Sequence, residues 1–221
     1  MLEIAAFTAP SAITASRTGA SRIELCTSYS LGGTTPPLST LSLVRSATHL
    51  PITVMIRPRG GDFVYTASEY AVMESEIDSL KGLADGFVFG ILDTEGRVDE
   101  ERCTRLVRLA EPRACTFHRA IDDARDLQGG VEAAVRCGFK RVLTSGGEKS
   151  AVEGLERIRG LQEVFGGRIE IIAGGGVRSG NVAVVKGMTG VPWVHSAAVT
   201  GEGEEVDGDE VRRISGVLEG I

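Results

Sequence analysis

The sequence alternates between short apolar segments and segments with helical spacing, and this alternation constrains the fold more than any other feature. Eight apolar, β-rich runs end in polar or glycine-rich turns: Leu2–Phe7, Arg22–Cys26, Ile52–Pro58, Gly86–Leu92, Ala114–Ala120, Arg141–Ser145, Arg168–Gly174 and Trp193–Val199. Between them the spacing of apolar residues predicts helices, such as Ser68–Leu83, Glu100–Leu109, Leu127–Cys137, Ala151–Phe165 and Asp209–Leu218. Alternating strand and helix units form a parallel sheet covered by helices. Eight units in 221 residues predict an α/β fold, a (β/α)8 TIM barrel made of a single domain over residues 1–221, with a doubly wound open sheet as the alternative.

Charge and hydropathy exclude two classes of protein. The formal net charge is −6 and no basic stripe is visible, so we expect no nucleic-acid partner. No apolar run approaches the ~18 residues of a membrane span, and the N-terminal segment lacks the features of a secretory signal, so we expect no membrane association. The four cysteines, Cys26, Cys103, Cys115 and Cys137, show no metal-binding spacing, which favours reduced thiols in a cytoplasmic protein.

Local signals place several helix ends. Ser150 followed by Glu153 predicts a capping box at the start of the helix Ala151–Phe165. Asp126 is expected to cap the helix that begins at Leu127, and Gly138 to end it.

Strand parity predicts which side chains point into the barrel. Successive side chains on a strand face opposite sides, so the apolar residues of one parity face the helices and the others face the barrel axis. The inward set lies near the carboxyl ends of the strands, where the active sites of this fold are built. We therefore take as candidate catalytic residues Glu24, Arg57, His118 and His195. The alternative is that Glu24 and Arg57 form a buried ion pair that fills the barrel.

The loops after the strands add groups that could bind an anion. Arginine pairs carboxylate and phosphate by bidentate hydrogen bonds, and glycine turns let backbone N–H groups approach a phosphate closely. The candidate ligand- or anion-binding residues are Arg59, Asp62, Arg119, Asp122, Ser145, Gly174, Gly175 and Gly176. The alternatives are that the arginines pair with Asp62 or Glu24, and that the glycines serve tight turns alone.

Several motifs, in order along the chain, resemble the CutC copper homeostasis family: Arg22-Ile-Glu-Leu-Cys26, Gly32-Gly-Thr-Thr-Pro36, Val54-Met-Ile-Arg-Pro-Arg-Gly-Gly-Asp-Phe63, Asp85-Gly-Phe-Val-Phe-Gly90, Thr116-Phe-His-Arg-Ala120, Arg141-Val-Leu-Thr-Ser-Gly-Gly147 and Ala173-Gly-Gly-Gly176. The resemblance implies a cytosolic (β/α)8 barrel that is linked to copper tolerance and binds Cu(I) through cysteine. The chain departs from the family's pattern twice. Ala5 and Ala6 stand where a first-strand cysteine is common, which weakens a multi-thiolate site. Trp193 stands where a glutamate often precedes the last-strand histidine, which weakens an acid–base pairing with His195.

Two functions follow from these observations. The first is Cu(I) binding, with copper as the cofactor or cargo, Cys26 and Met55 as sulfur ligands on adjacent strands and His118 as a third ligand. The second is an enzyme of lyase, isomerase or hydrolase type that acts on a small anionic or sugar-phosphate-like substrate at the carboxyl-terminal rim. Under either function, the expected partner of the protein is a copper ion or a small-molecule ligand, and no organic cofactor is indicated. The outer helices could support a homo-oligomer.

Overall fold

The structure, a computed structural model, describes residues 1–221 as one closed barrel of eight parallel strands. The strands are β1 (Leu2–Ala6), β2 (Arg22–Leu25), β3 (Ile52–Met55), β4 (Gly86–Phe89), β5 (Ala114–Phe117), β6 (Arg141–Thr144), β7 (Glu170–Ala173) and β8 (Trp193–Ser196). The helices are α1 (Ala9–Arg17), α2 (Leu38–Ala47), α3 (Ala67–Leu80), α4 (Glu100–Ala110), α5 (Leu127–Cys137), α6 (Leu155–Phe165), α7 (Val182–Thr189) and α8 (Gly208–Glu219). Each strand pairs with the next in sequence, and β8 pairs with β1. The predicted TIM barrel is therefore confirmed, and the open sheet is excluded.

The strands lie where the sequence predicts them, but each ends earlier: β3, β4, β5 and β8 by three residues, and the other four by one. The third run, predicted to extend to Pro58, ends as a strand at Met55, and the fifth ends at Phe117. Single backbone hydrogen bonds continue one residue further, from Ile56 N–H to Val88 O and from His118 N–H to Phe89 O. Beyond them the chain turns outward, so the last residues of each predicted run form the rim of the barrel.

The main apolar core lies between the strands and the helices. It contains 54 buried residues, among them Ile23, Leu25 and Phe117 from the outward-facing strand positions. Two small clusters of five and three residues lie inside the strand ring; the larger contains Cys26 and Met55. Parity thus assigned these strand positions correctly.

Three of the helix boundaries test the capping signals. Asp126 accepts a hydrogen bond from Gly129 N–H at the start of α5, and Gly138 ends that helix with a φ of 93°, both as expected. The prediction that α6 begins at Ala151 is wrong, because the helix begins at Leu155. Ser150 Oγ does accept from Glu153 N–H at 3.2 Å, but Ala151 N–H donates to Gly175 O in the next rim loop, so this segment forms turns before the helix starts.

An ion network lies at the amino-terminal half of the barrel, with Arg22 and Glu3 buried and Arg141 and Glu170 partly exposed. Arg22 Nε donates to Glu3 Oε2 at 2.5 Å, and Arg141 Nε donates to Glu170 Oε1 at 3.0 Å. The guanidinium carbon of Arg22 lies 3.9 Å from the centroid of the Trp193 ring. Buried charges persist only when paired, so these contacts fix the side chains beneath the rim.

Candidate functional site

One cavity opens at the carboxyl end of the strands. Its volume is about 340 Å³, and residues from seven of the eight strands and their following loops line it, all but β4. Nine of the residues predicted from the sequence line it together: Glu24, Cys26, Met55, Arg57, His118, Arg119, Gly175, Gly176 and His195. Five other predicted residues do not line it: Arg59, Asp62, Asp122, Ser145 and Gly174. We refer to this cavity as the rim pocket.

Glu3, His195 and Glu24 form a buried acid–base cluster at one side of the rim pocket. They come from β1, β8 and β2, which are neighbours in the barrel, and Glu3 is in register with His195. His195 Nδ1 lies 2.8 Å from Glu3 Oε1, and since a carboxylate accepts, this nitrogen carries the proton. Glu24 Oε2 lies 3.7 Å from the other ring nitrogen, His195 Nε2.

The three groups of this cluster shift one another's pKa values. Burial alone would raise the pKa of Glu3, but the hydrogen bond to His195 and the charge of Arg22 outweigh it and lower that pKa to about 2. Burial raises the pKa of Glu24 to about 7, and the charge of Glu3 adds to this shift. Burial opposes the imidazolium form of His195, yet the two carboxylates outweigh it and raise its pKa. The cluster therefore holds a proton at neutral pH that can move between groups.

Glu3 was missed by the sequence reading, although a signal was present. Leu2, Ile4 and Ala6 alternate as outward-facing apolar residues, so parity places Glu3 inside the barrel. Its carboxylate supplies the acidic partner of His195 that Trp193 cannot supply from β8 itself. The expected weakening of the acid–base pairing is thus offset from a neighbouring strand.

Cys26 and Met55 lie side by side in the pocket wall. Cys26 directly follows Leu25, the last residue of β2, and Met55 is the last residue of β3. Both belong to a small apolar cluster with Ala5, Phe7 and Val88. The Cys26 thiol donates a long hydrogen bond to Glu24 Oε2 at 3.6 Å. Burial raises the pKa of the thiol well above its usual range, and the charge of Glu24 raises it further. Cys26 is accordingly a protonated thiol beside a thioether.

His118 stands at the end of β5 with one ring nitrogen bonded and the other unpaired. Its Nδ1 accepts from Ala120 N–H at 3.3 Å, whereas its buried Nε2 has no partner in the protein. Phe63 packs against the imidazole at 4.9 Å between ring centroids. Burial and the charge of Arg57 lower the pKa of His118 to about 3, so the ring is neutral and Nε2 carries its proton.

The two arginines of the third rim loop have different surroundings. Arg57 donates to the carbonyl oxygens of Leu31, Gly33 and Gly61, which ties two rim loops together beside the pocket. It forms no ion pair with Glu24, so the barrel-filling pair considered above does not form. Arg59 pairs with Asp62 at 2.8 Å and with Glu69 at 2.6 Å, on the outer side of this loop.

The turn after β6 is filled by a carboxylate of the protein itself. Asp122 accepts from the backbone N–H groups of Ser145 and Gly147, at 3.0 and 2.9 Å, and from the Thr144 hydroxyl. Arg119 Nε also donates to Asp122, at 2.9 Å, and Arg119 Nη2 donates to Ser145 Oγ at 2.8 Å. Asp122 and Ser145 thus build the wall behind the pocket.

The turn after β7 faces the pocket with its amides free. Gly175 and Gly176 have φ values of 99° and 71°, which favour glycine. Gly174 N–H donates to Thr144 O, but the N–H groups of Gly175 and Gly176 donate to no protein atom. A Cβ at Gly175 would lie 3.4 Å from the guanidinium carbon of Arg119, so this cation borders the free amides.

The positions of the four cysteines determine which thiols can contact a ligand in the rim pocket. All four cysteines are buried, and none forms a disulfide bond. Cys103 and Cys137 lie on α4 and α5, and Cys115 packs in the main core outside the strand ring. Cys26 is therefore the one thiol that a pocket ligand can contact. No helix has both the length and the apolar character that a bilayer crossing demands.

The fold and the rim pocket define a class: a TIM-barrel protein with a buried polar and sulfur-containing site at the carboxyl ends of its strands. The model of the CutC family matches residues 1–200. The human copper homeostasis protein cutC homolog is 42% identical over 199 residues, covering 90% of this chain and 73% of the human protein. The crystal structure of the putative copper homeostasis protein CutC from Streptococcus agalactiae has a TM-score of 0.86 at 32% identity, covering 90% of this chain and 99% of that one. The chain belongs to the CutC family.

More distant structures share the fold alone. Thiamine phosphate pyrophosphorylase from Pyrococcus furiosus has a TM-score of 0.69 at 15% identity, covering 99% of this chain and 95% of that one.

Proposed function

We propose that this protein is a cytoplasmic copper homeostasis protein that binds Cu(I) in the rim pocket through Cys26 and Met55. One observation carries this proposal: the single pocket-lining thiol lies beside the single pocket-lining thioether on adjacent strands. Cu(I) prefers such soft ligands, and the donor set therefore fits the metal. Membership in a family whose relatives are named for copper homeostasis supports the same assignment.

The surroundings of Cys26 suit an exchange of a proton for the metal. A thiol binds metal as the thiolate, so Cu(I) binding releases the proton that burial holds on Cys26. Glu24 Oε2, 3.6 Å from the sulfur, is the nearest acceptor for it. The negative charge of the thiolate and the positive charge of Cu(I) cancel, so the bound pair avoids the cost of an unpaired buried ion.

A titration of the protein with Cu(I) against a competing chelator tests this proposal. We expect Cys26→Ser to weaken binding by roughly 100-fold or more, about 2.7 kcal/mol, and Met55→Leu to weaken it by about tenfold. Cys115→Ser is the matched control, since this thiol is equally buried but lies outside the strand ring, and it should bind as the wild type does. Equal affinity of the wild type and Cys26→Ser would remove Cys26 as a ligand and refute the site.

A second function is favoured by a separate observation, the hard and polar half of the rim pocket. Glu24 Oε1 and His118 Nε2 are buried without partners, and the free amides of Gly175 and Gly176 adjoin Arg119. Such groups suit an enzyme of lyase, isomerase or hydrolase type with a small anionic or sugar-phosphate-like substrate. The neutral His118 and the carboxyl of Glu24 would supply the acid–base chemistry.

Thermal unfolding with a panel of phosphorylated sugars tests the second function. A ligand at 100 times its Kd stabilises the protein by roughly 2.7 kcal/mol, or about 5–10 °C for a chain of this length. The shift should disappear in Arg119→Gln and persist in Arg59→Gln, because Arg59 lies outside the pocket. If no member of the panel raises the Tm of the wild type, this function is wrong.

A further inference from the structure

Besides Arg57 Nε, two buried polar atoms of the rim pocket have no partner in the protein. Glu24 is 3% exposed and its Oε1 makes no hydrogen bond; His118 is 4% exposed and its Nε2 makes none. Buried polar groups in folded proteins are nearly always paired, and leaving one unpaired costs about 1–3 kcal/mol. Because both atoms belong to residues that line the same cavity, a ligand that satisfies both would recover this cost.

His118 presents a fixed hydrogen-bond donor. Its Nδ1 accepts from Ala120 N–H, so the proton lies on Nε2 at the opposite edge of the ring. The rings of Phe63 and Phe117 pack edge-on against the imidazole, and a Cβ at Gly90 would come within 2.8 Å of Nδ1. The ring is therefore held in place, and its Nε2–H can donate to one acceptor atom of a ligand.

Glu24 presents the complementary group. Its Oε2 is occupied by Cys26 and faces His195, which leaves Oε1 as a free acceptor. In the closed barrel β2 and β5 are separated by two strands, so Glu24 and His118 approach the pocket from different sides. A ligand between them must offer an acceptor atom to His118 and a hydrogen atom to Glu24.

The free amides of the turn after β7 add a third point of attachment. The carboxylate of Asp122 already fills the neighbouring turn, so an external anion is left with the N–H groups of Gly175 and Gly176. Arg119 borders them and supplies the positive charge. An anionic group of the ligand would bind here.

We propose that the rim pocket binds an anionic α-hydroxycarbonyl compound and transfers a proton at the carbon next to its carbonyl group. The inference rests on the second function proposed above. Glu24 Oε1 removes the proton, the C–H electron pair forms a carbon–carbon double bond, and the carbonyl π pair moves onto oxygen, where His118 Nε2–H stabilises it. Return of the proton from Glu24 to the same carbon, after exchange with solvent on the carboxyl, completes a hydrogen exchange. Return to the former carbonyl carbon completes an isomerisation when His118 Nε2 gives its proton to the former carbonyl oxygen and takes up the proton of the neighbouring hydroxyl group, which becomes the new carbonyl. Every atom and electron pair is accounted for, so the step needs no oxidant or reductant.

Exchange of carbon-bound hydrogen in D₂O tests this proposal. The probe is dihydroxyacetone phosphate, a small anionic α-hydroxyketone, and proton NMR follows the loss of its signal at the hydroxyl-bearing carbon. Wild-type protein should accelerate exchange, and Glu24→Gln should lower the rate by 10²-fold or more, the usual contribution of a general base being about 10²–10⁴-fold. Glu24→Gln prepared in the same way also measures any exchange by contaminating host enzymes.

Two substitutions of His118 separate its donor from its packing. His118→Gln keeps an N–H group that can reach the position of Nε2, whereas the side chain of His118→Phe has no hydrogen-bonding atom. His118→Gln should therefore retain at least about tenfold more exchange activity than His118→Phe, since one such donor contributes about 10²–10³-fold. Glu156→Gln, on the exposed surface of α6, is the control and should exchange as the wild type does.

Phosphorus NMR of the same probe distinguishes the possible failures. A shift of the phosphate signal that Arg119→Gln removes, without any proton exchange, would overturn the proton transfer and leave the anion site of the second function intact. Neither a shift nor exchange would overturn both. Exchange that Glu24→Gln does not reduce, or equal rates in the two His118 variants, would also overturn the inference.

Discussion

Replacing Asp122 by alanine would empty the turn that follows β6. The Asp122 carboxylate accepts from Ser145 N–H at 3.0 Å, from Gly147 N–H at 2.9 Å and from the Thr144 hydroxyl, and it pairs with Arg119 at 2.9 Å. Its side chain is 6% exposed, so water does not readily replace these bonds. Asp122 thus plays within the protein the part that a bound anion plays elsewhere.

The magnitude follows from the donors that the substitution leaves behind. Each buried donor without a partner costs about 1–3 kcal/mol, and Asp122→Ala strands two backbone N–H groups and one hydroxyl. With some water entering the vacated space, we expect a loss of about 3 kcal/mol in the free energy of unfolding. For a chain of this size that corresponds to a fall in Tm of about 6–12 °C. Asp122→Asn keeps one acceptor oxygen and should lose about half as much.

Urea and thermal unfolding of the two variants measure this effect. Asp123→Ala is the matched control, since it removes the same charge from an exposed neighbour that makes no side-chain hydrogen bond. Added sulfate should raise the Tm of Asp122→Ala more than that of the wild type, because the emptied turn is then an anion site. The reasoning is refuted if Asp122→Ala and Asp123→Ala differ by less than about 0.5 kcal/mol.

Two further predictions concern stability. Because the folded-state pKa of Glu3 is lowered from 4.5 to about 2, its contribution is complete above pH 4.5 and is lost as the pH falls through 2. At one pKa unit per 1.36 kcal/mol this amounts to about 3 kcal/mol, so urea unfolding from pH 5 to pH 2 should show a steeper loss in the wild type than in Glu3→Gln; equal slopes would contradict it. Gly90→Ala would place a Cβ 2.7 Å from the Phe117 ring and 2.8 Å from His118 Nδ1 and should cost about 1–3 kcal/mol. Gly160→Ala on α6, where a Cβ meets nothing within 4 Å, should instead raise the Tm slightly, and destabilisation there would show that the packing argument is wrong.

The sequence predicted the barrel and most of the pocket because strand parity is a local property. Alternation of apolar residues was enough to point Glu24 and His118 into the barrel. On the last strand the two parities are mixed, and His195 was placed inward because the interior must be filled; the structure brings all three together at the rim. Loop side chains were harder to predict, since their direction depends on contacts far along the chain. Arg59 resembles Arg57 in sequence context, yet Glu69 of α3 draws it to the outer side of its loop.

The same limit applies to Asp122. Its three-residue spacing from Arg119 suggested a surface for ligands, but its carboxylate is engaged by the amides of a turn more than twenty residues later. No local pattern reports such a pairing. It becomes visible when the loops after β5 and β6 are placed side by side.

The division of the apolar core has a consequence for how this protein can diversify. The 54-residue cluster outside the strand ring carries the bulk of the hydrophobic stabilisation, whereas the clusters inside contain five and three residues. The few apolar residues that line the pocket can therefore be exchanged with little effect on the hydrophobic stability of the scaffold, and the outer core can vary while the pocket is kept. In this chain, natural selection can alter the ligand chemistry and the thermal stability as two nearly separate traits.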